Sequence, residues 1–223
     1  MPDVVKIVAL LTALTAAITI HEFSHAAAAY ALGDETARKA GRLTLNPLSH
    51  LDPLGTVLLL VVIFTGVPGI GWGKPVPFQP WALKGGRRGM ALVSAAGPAS
   101  NVLLAVTSES FLRYAVATNI PMPDPVALLL SALVVVNTTL AAFNLIPLPP
   151  LDGFGVAVGL LPGRAARPLA NIERFGPGIL LLLIFAPSII RIDPLGLILS
   201  PLSNIVSTVV KGASRAIATI LGG

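Results

Sequence analysis

The sequence predicts an all-α, multi-pass membrane protein. It has about five or six hydrophobic helical segments, with a short membrane-associated β hairpin or edge strand between the first and middle core helices. Three observations carry this. Only 11% of the 223 residues are charged, against roughly 25% in soluble domains. The mean hydropathy is +0.85. Several apolar runs approach the roughly 20 residues an α-helix needs to cross a bilayer. A single large soluble core does not fit runs this long and continuous.

The first segment, about residues 4–32, exceeds the short apolar core of a signal peptide and follows no basic leader, so it reads as a membrane helix. The second, LGTVLLLVVIFTGV at 54–67, is short for a full span. The remaining segments lie at about 89–112, 125–145, 175–190 and 194–221. Two polar, proline- and glycine-rich stretches interrupt the series at 35–53 and 66–88. Within the latter, GWGKPVPF alternates like an extended strand. Pro75 and Pro77 place it at an edge. No internal repeat is present.

Charge orients the chain. The net charge is +5, and the basic residues flank apolar runs, which points to the positive-inside rule and not to nucleic acid. Arg38, Lys39 and Arg42 follow the first segment; Lys74, Lys84, Arg87 and Arg88 precede the third; Arg164, Arg167 and Arg174 follow the fourth. All three clusters fall on one side if the 54–67 segment enters and leaves by the same face. Sites near Gly41 and Gly69 would then share a compartment.

There is no cysteine, so any metal must be held by histidine nitrogen or carboxylate oxygen. The first segment contains His21-Glu22-Phe23-Ser24-His25. Residues four apart share a helix face, so both imidazoles can reach one ion. Glu22 lies about 100° round the helix, near the ion's open side. This H-E-x-x-H pattern is that of zinc hydrolases, whose glutamate takes a proton from water. The competing reading is two histidines that merely hydrogen-bond to neighbours. Ionisable groups are costly in lipid and usually mark function there, which favours the metal.

A catalytic zinc needs a third protein ligand. The candidates are His50, Asp34, Glu35, Asp52, Glu109, Asp124, Asp152, Glu173 and Asp193. Asp152 stands apart, in FNLIPLPPLDGF directly after the fourth segment. Its three prolines must break a helix, and broken backbone at membrane depth is tolerated only where it lines a protein-enclosed or watery cavity. Asp152 could equally cap the helix beginning near Gly153.

HEFSH in the first helix, AAGPASN at 95–101 and NLIPLPPLDG at 144–153 together resemble the site-2 protease family of intramembrane zinc metalloproteases. GRLTLNPLSHLDPLG and GWGKPVPF resemble its compact subgroup, which lacks an inserted soluble domain. The resemblance implies one catalytic Zn2+ on His21, His25 and Asp152, with Glu22 as base and acid. It implies that Asn144 assists substrate or oxyanion binding, and it adds Asn101, with Gly97, from the glycine–proline–asparagine element. Asn101 could also be a helix–helix hydrogen bond. GWGKPVPF, with Gly73, Lys74 and Val76, would align an extended substrate by β-addition. His50 is left as a support for a ligand, a substrate-gate residue or a surface histidine.

Residues 1–165 would then form the catalytic membrane core and 166–223 C-terminal membrane helices. The implied partners are the lipid bilayer and a membrane-anchored protein or remnant signal peptide, cleaved in regulated intramembrane proteolysis. The implied location is the cytoplasmic membrane, with the site nearer its cytoplasmic face. The competing class is a transporter or metal-permeating protein, which also uses broken helices and buried ionisable groups. It would show repeats or ionisable residues spread along a path, whereas this chain has one compact cluster.

Overall fold

Length and hydropathy dictate the main helices of the computed structural model, which describes residues 4–65 and 71–221. In chain order they are α1 (Val4–Ala31), α2 (Thr36–Lys39), α3 (Pro53–Thr65), α4 (Arg87–Ala117) and α5 (Asp124–Asn144). Then follow α6 (Asp152–Leu160), α7 (Gly163–Ile172), α8 (Gly176–Ile190) and α9 (Pro194–Ile220). Helices α1, α4, α5 and α9, together with Glu173–Ile190 that contains α8, are long and apolar enough to cross a membrane. The protein is therefore a multi-pass, all-α membrane protein.

Packing follows the rule for helices in lipid: small residues inside, large apolar residues outside. Ala13, Ala17, Ala26, Ala29, Ala105, Ala141 and Ala142 are fully buried, while Leu103, Phe111, Leu182 and Leu197 are exposed. Helices α1, α4 and α5 pack mutually, α9 closes on α4 and α5, and α6 lies on α4. The α6–α4 approach is very close. A Cβ on Gly155 would lie 2.2 Å from Ser94 Oγ, and one on Gly159 2.5 Å from the Ala91 Cβ. These two glycines, one turn apart, let α6 press its first residue, Asp152, towards α4 and α1.

Helix α5 stops at Asn144 because Pro147, Pro149 and Pro150 cannot continue it. The broken stretch is not loose. Ile146 and Leu151 bury themselves against Leu180 of α8.

Helix α3 has 13 residues, about 20 Å at 1.5 Å per residue, which is less than a bilayer core. The chain on either side of it returns to the same end of the bundle. Lys84 N–H donates to Leu32 O (2.8 Å), and Gln79 N–H to the buried Asp34 carboxylate (2.6 Å). Burial works against ionisation of Asp34, yet hydrogen bonds from Thr36 and Gln79 hold its carboxyl below the usual range. Residues 79–84 therefore sit at the C-terminal end of α1, beside exposed Trp81, Lys39 and Lys84. The segment enters and leaves by one end, although Gly69 itself lies outside the described residues.

Among the described residues the expected β hairpin does not form. Their β pairing is one isolated antiparallel bridge, Leu51 to Gly73, and Lys74 to Gln79 form no strand. Pro75 and Pro77 explain this, because each lacks the N–H that a ladder would need.

With no native cysteine, single Lys39→Cys and Lys84→Cys variants can be probed with a membrane-impermeant maleimide in intact cells and in inverted membrane vesicles. Both should react from the same side; labelling from opposite sides would contradict the re-entrant path of α3.

Candidate metal centre

The helical period puts His21 and His25 on the face of α1 that meets α4, and both are buried. Their rings lie edge to face, with centroids 4.6 Å apart. Each Nδ1 has a partner of its own. His21 Nδ1 donates to Asn101 Oδ1 (2.6 Å), and His25 Nδ1 donates to Val93 O (2.7 Å). The Asn101 amide is itself oriented, because its Nδ2 donates to Asn137 Oδ1 (2.7 Å) and Ala17 O (3.3 Å). Asn137 in turn donates to Leu133 O (2.9 Å).

With the protons on Nδ1, both Nε2 atoms point lone pairs into the same space, 3.0 Å apart. Asp152 enters that space from α6. Its Oδ2 is 3.1 Å from His21 Nε2 and its Oδ1 3.2 Å from His25 Nε2. Oδ2 is buried without a hydrogen-bond donor. Three Lewis-basic groups thus converge with no proton to share, which is unfavourable unless a cation lies between them. The spacings are close to the roughly 3.3 Å separating ligands of a tetrahedral ion with bonds of about 2.0 Å. Gly97 makes room on the α4 side. A Cβ there would fall 2.4 Å from His25 Nε2 and 2.6 Å from His21 Cε1. The donor set, nitrogen and carboxylate oxygen without thiolate, suits zinc.

The centre opens on a cavity of about 600 Å³. Glu22, Asn144 and Ser94 line it, and Leu14, Ile18, Leu140 and Phe143 form apolar walls. His25 is six residues from the end of α1 and His21 ten, so the centre lies about 9–15 Å below that helix end.

The other predicted residues fall in distinct places. Asn144 lines the cavity with one N–H given to Leu140 O (3.0 Å). Asn101 does not line it; the fully buried amide stands behind His21 and fixes that ring, a correction to the expected substrate contact. His50 is fully buried outside the metal group. Its Nε2 donates to Thr44 O (2.7 Å) and its main-chain oxygen takes the Lys74 N–H (2.7 Å), so it is neither a surface histidine nor a ligand. Gly73 lies beside Glu22, where a Cβ would be 3.4 Å from Oε1. Lys74 is exposed and its main-chain oxygen accepts from the buried Arg42 guanidinium, while Val76 lines the cavity and packs on Ala26 and Ala37.

Several of the rival acidic candidates have other partners. Glu35 pairs with Lys39, Glu109 with Arg113, and Asp52 and Asp193 accept from Gly55 and Gly196 N–H groups. Asn137 and Arg42 were missed as site residues. A lone asparagine in the run VVVNTTL was the available signal for the first; Arg42 was read only as an orienting charge.

Comparison with known proteins finds similar sequences named as zinc metalloproteases. "Putative zinc metalloprotease YwhC" of Bacillus subtilis is 38% identical over 182 residues, covering 80% of each chain. "Putative zinc metalloprotease Rip2" of Mycolicibacterium smegmatis is 32% identical over 78% of this chain and 65% of its own. "Putative zinc metalloprotease sll0528" of Synechocystis is 28% identical over 85% of this chain and 43% of its own. The chain thus spans less than two thirds of the latter two. No family model and no solved structure matches. Zinc is the metal these relatives imply.

Gly97→Ala should abolish zinc binding although it removes no ligand, read as the zinc-to-protein ratio after competition with a chelator. Asn101→Ala should weaken zinc about 10–100-fold, the usual effect of losing a group that orients a ligating histidine. Wild-type affinity in both variants would exclude the arrangement described.

Proposed function

This chain belongs to the zinc metalloprotease family that includes YwhC and Rip2, and we propose that it hydrolyses peptide bonds of membrane-anchored substrates within or near the bilayer. The observation that carries this reading is the convergence of His21, His25 and Asp152, with Glu22 alongside, in an apolar cavity among membrane-length helices. The resemblance to compact site-2 proteases supports the same reading. Membrane-anchored regulators and remnant signal peptides are the substrate class it favours.

His21, His25 and Asp152 would hold the zinc. When bound, the ion lowers the pKa of a water towards about 7 and polarises the scissile carbonyl. Glu22 accepts the proton of the attacking water and returns it to the leaving amine. Its place one residue after His21 directs its carboxylate into the cavity rather than into the ligand set. Asn144 retains a second amide hydrogen beyond the one given to Leu140, and that hydrogen is available to the developing oxyanion. The walls beside the reacting groups are mostly apolar. A substrate helix hides its carbonyls in its own hydrogen bonds, so it must unwind locally before attack. The basic end of the bundle faces the cytoplasm by the positive-inside rule. On this reading the site lies nearer the cytoplasmic face of the cell membrane.

Glu22→Gln should keep one zinc per chain while cleavage of single-span substrates in liposomes falls roughly 10²–10⁴-fold. A chelator should stop the wild type and added zinc restore it. Full turnover by Glu22→Gln would remove Glu22 from the chemistry.

A further inference from the structure

Asn137 interrupts the apolar run VVVNTTL of α5. It is fully buried, yet it neither lines the cavity nor belongs to the metal group. A buried amide in a membrane helix is costly unless its partners are in place. The partners of Asn137 form a chain of hydrogen bonds that runs in one direction only.

The direction is set by a main-chain carbonyl. Leu133 O can only accept, so the end of the Asn137 amide that faces it is Nδ2 (2.9 Å). Oδ1 then faces Asn101, and an acceptor there calls for the Asn101 Nδ2 (2.7 Å). Asn101 Oδ1 is thereby turned towards His21, 2.6 Å from Nδ1. An acceptor at that point keeps the ring proton on Nδ1 and leaves the Nε2 lone pair for the metal. Ala17 O accepts from the same Asn101 Nδ2 at 3.3 Å, outside the usual N–H···O range, so the shorter bond to Asn137 carries more of the orientation. His25 needs no such relay. Its Nδ1 donates directly to Val93 O, a group that cannot turn over. An asparagine amide can, and then it presents a donor where an acceptor is required.

We propose that Asn137 is a positioning residue for the zinc centre: it selects the orientation of the Asn101 amide and, through it, the tautomer of His21. Without an acceptor at position 137, Asn101 can turn over and offer N–H to His21 Nδ1. The ring then carries its proton on Nε2, the atom that must bind the ion, although every ligand is still present. The proposal rests on the metal group alone and not on the cleavage reaction.

The test measures zinc affinity of the purified full-length protein in detergent by competition with a chelator. Asn137→Leu, which removes the acceptor, should weaken zinc about 10-fold, the low end for groups that orient a ligating histidine. Asn101→Asp supplies a carboxylate, which accepts at both oxygens and holds the Nδ1 proton in either orientation. In that background the dependence on Asn137 should vanish. Asn101→Asp/Asn137→Leu should bind zinc at least as tightly as Asn101→Asp alone, because the Asn137 oxygen no longer has a donor to meet. A residue that acts by packing only would cost the same in both backgrounds. Wild-type affinity in Asn137→Leu, or an equal loss in the two backgrounds, overturns the proposal. Loss of zinc from Asn101→Asp overturns it too, since a carboxylate there must hold the same tautomer. A wild-type protein that binds no zinc strikes the metal group itself, and the relay with it.

Discussion

Nε2 of His21, Nε2 of His25 and the carboxylate of Asp152 lie 3.0–3.2 Å from one another, and without a cation between them they repel. The helix packing resists that repulsion. Two main-chain and side-chain acceptors, Val93 O and Asn101 Oδ1, fix the imidazole tautomers from behind. The Asn101–Asn137 pair ties α4 to α5 at the same depth. Buried amides in a membrane bundle are tolerable only when paired, and here each amide serves as the other's partner. The polar network therefore links helix packing and metal-site geometry in one unit.

Asp152 comes from far along the chain, and its arrival depends on backbone contacts rather than on charge. Gly155 and Gly159 let α6 approach α4 closely, and the proline-broken stretch before α6 is wedged under α8 by Leu180. Gly97 performs the corresponding task opposite the histidines. Small residues at these three positions matter for what they leave empty: each gap is occupied by an atom of the site or of the helix carrying it.

The re-entrant region joins this centre to its surroundings. Asp34 and Leu32 anchor residues 79–84 at the end of α1, and Arg42 and His50 hold Lys74 near its middle. The chain passes Glu22 at Gly73, where even a Cβ would come within 3.4 Å of the Glu22 carboxylate. Most of the polar residues here could be counted in the sequence, but their partners could not. Arg42 reads as one more orienting charge until Lys74 O is found against it. His50 reads as a spare histidine until its burial and its bond to Thr44 O are seen.

The sequence by itself determined the membrane as solvent, the five long helices and the His21–Glu22–His25 triad of side chains, because composition and helical period are local properties of the chain. It also marked Asp152 through the prolines that precede it. Tertiary structure supplied the contacts that turn α3 back, a path the charge pattern already favoured, and it alone decided that no hairpin forms among the described residues and that Asn101 faces His21 instead of the cavity. Each of these depends on contacts between residues far apart in sequence: Leu32 with Lys84, Leu51 with Gly73, His21 with Asn101. No local periodicity encodes such contacts, since they arise only when α1, α4 and α5 pack and every buried polar group must find a partner.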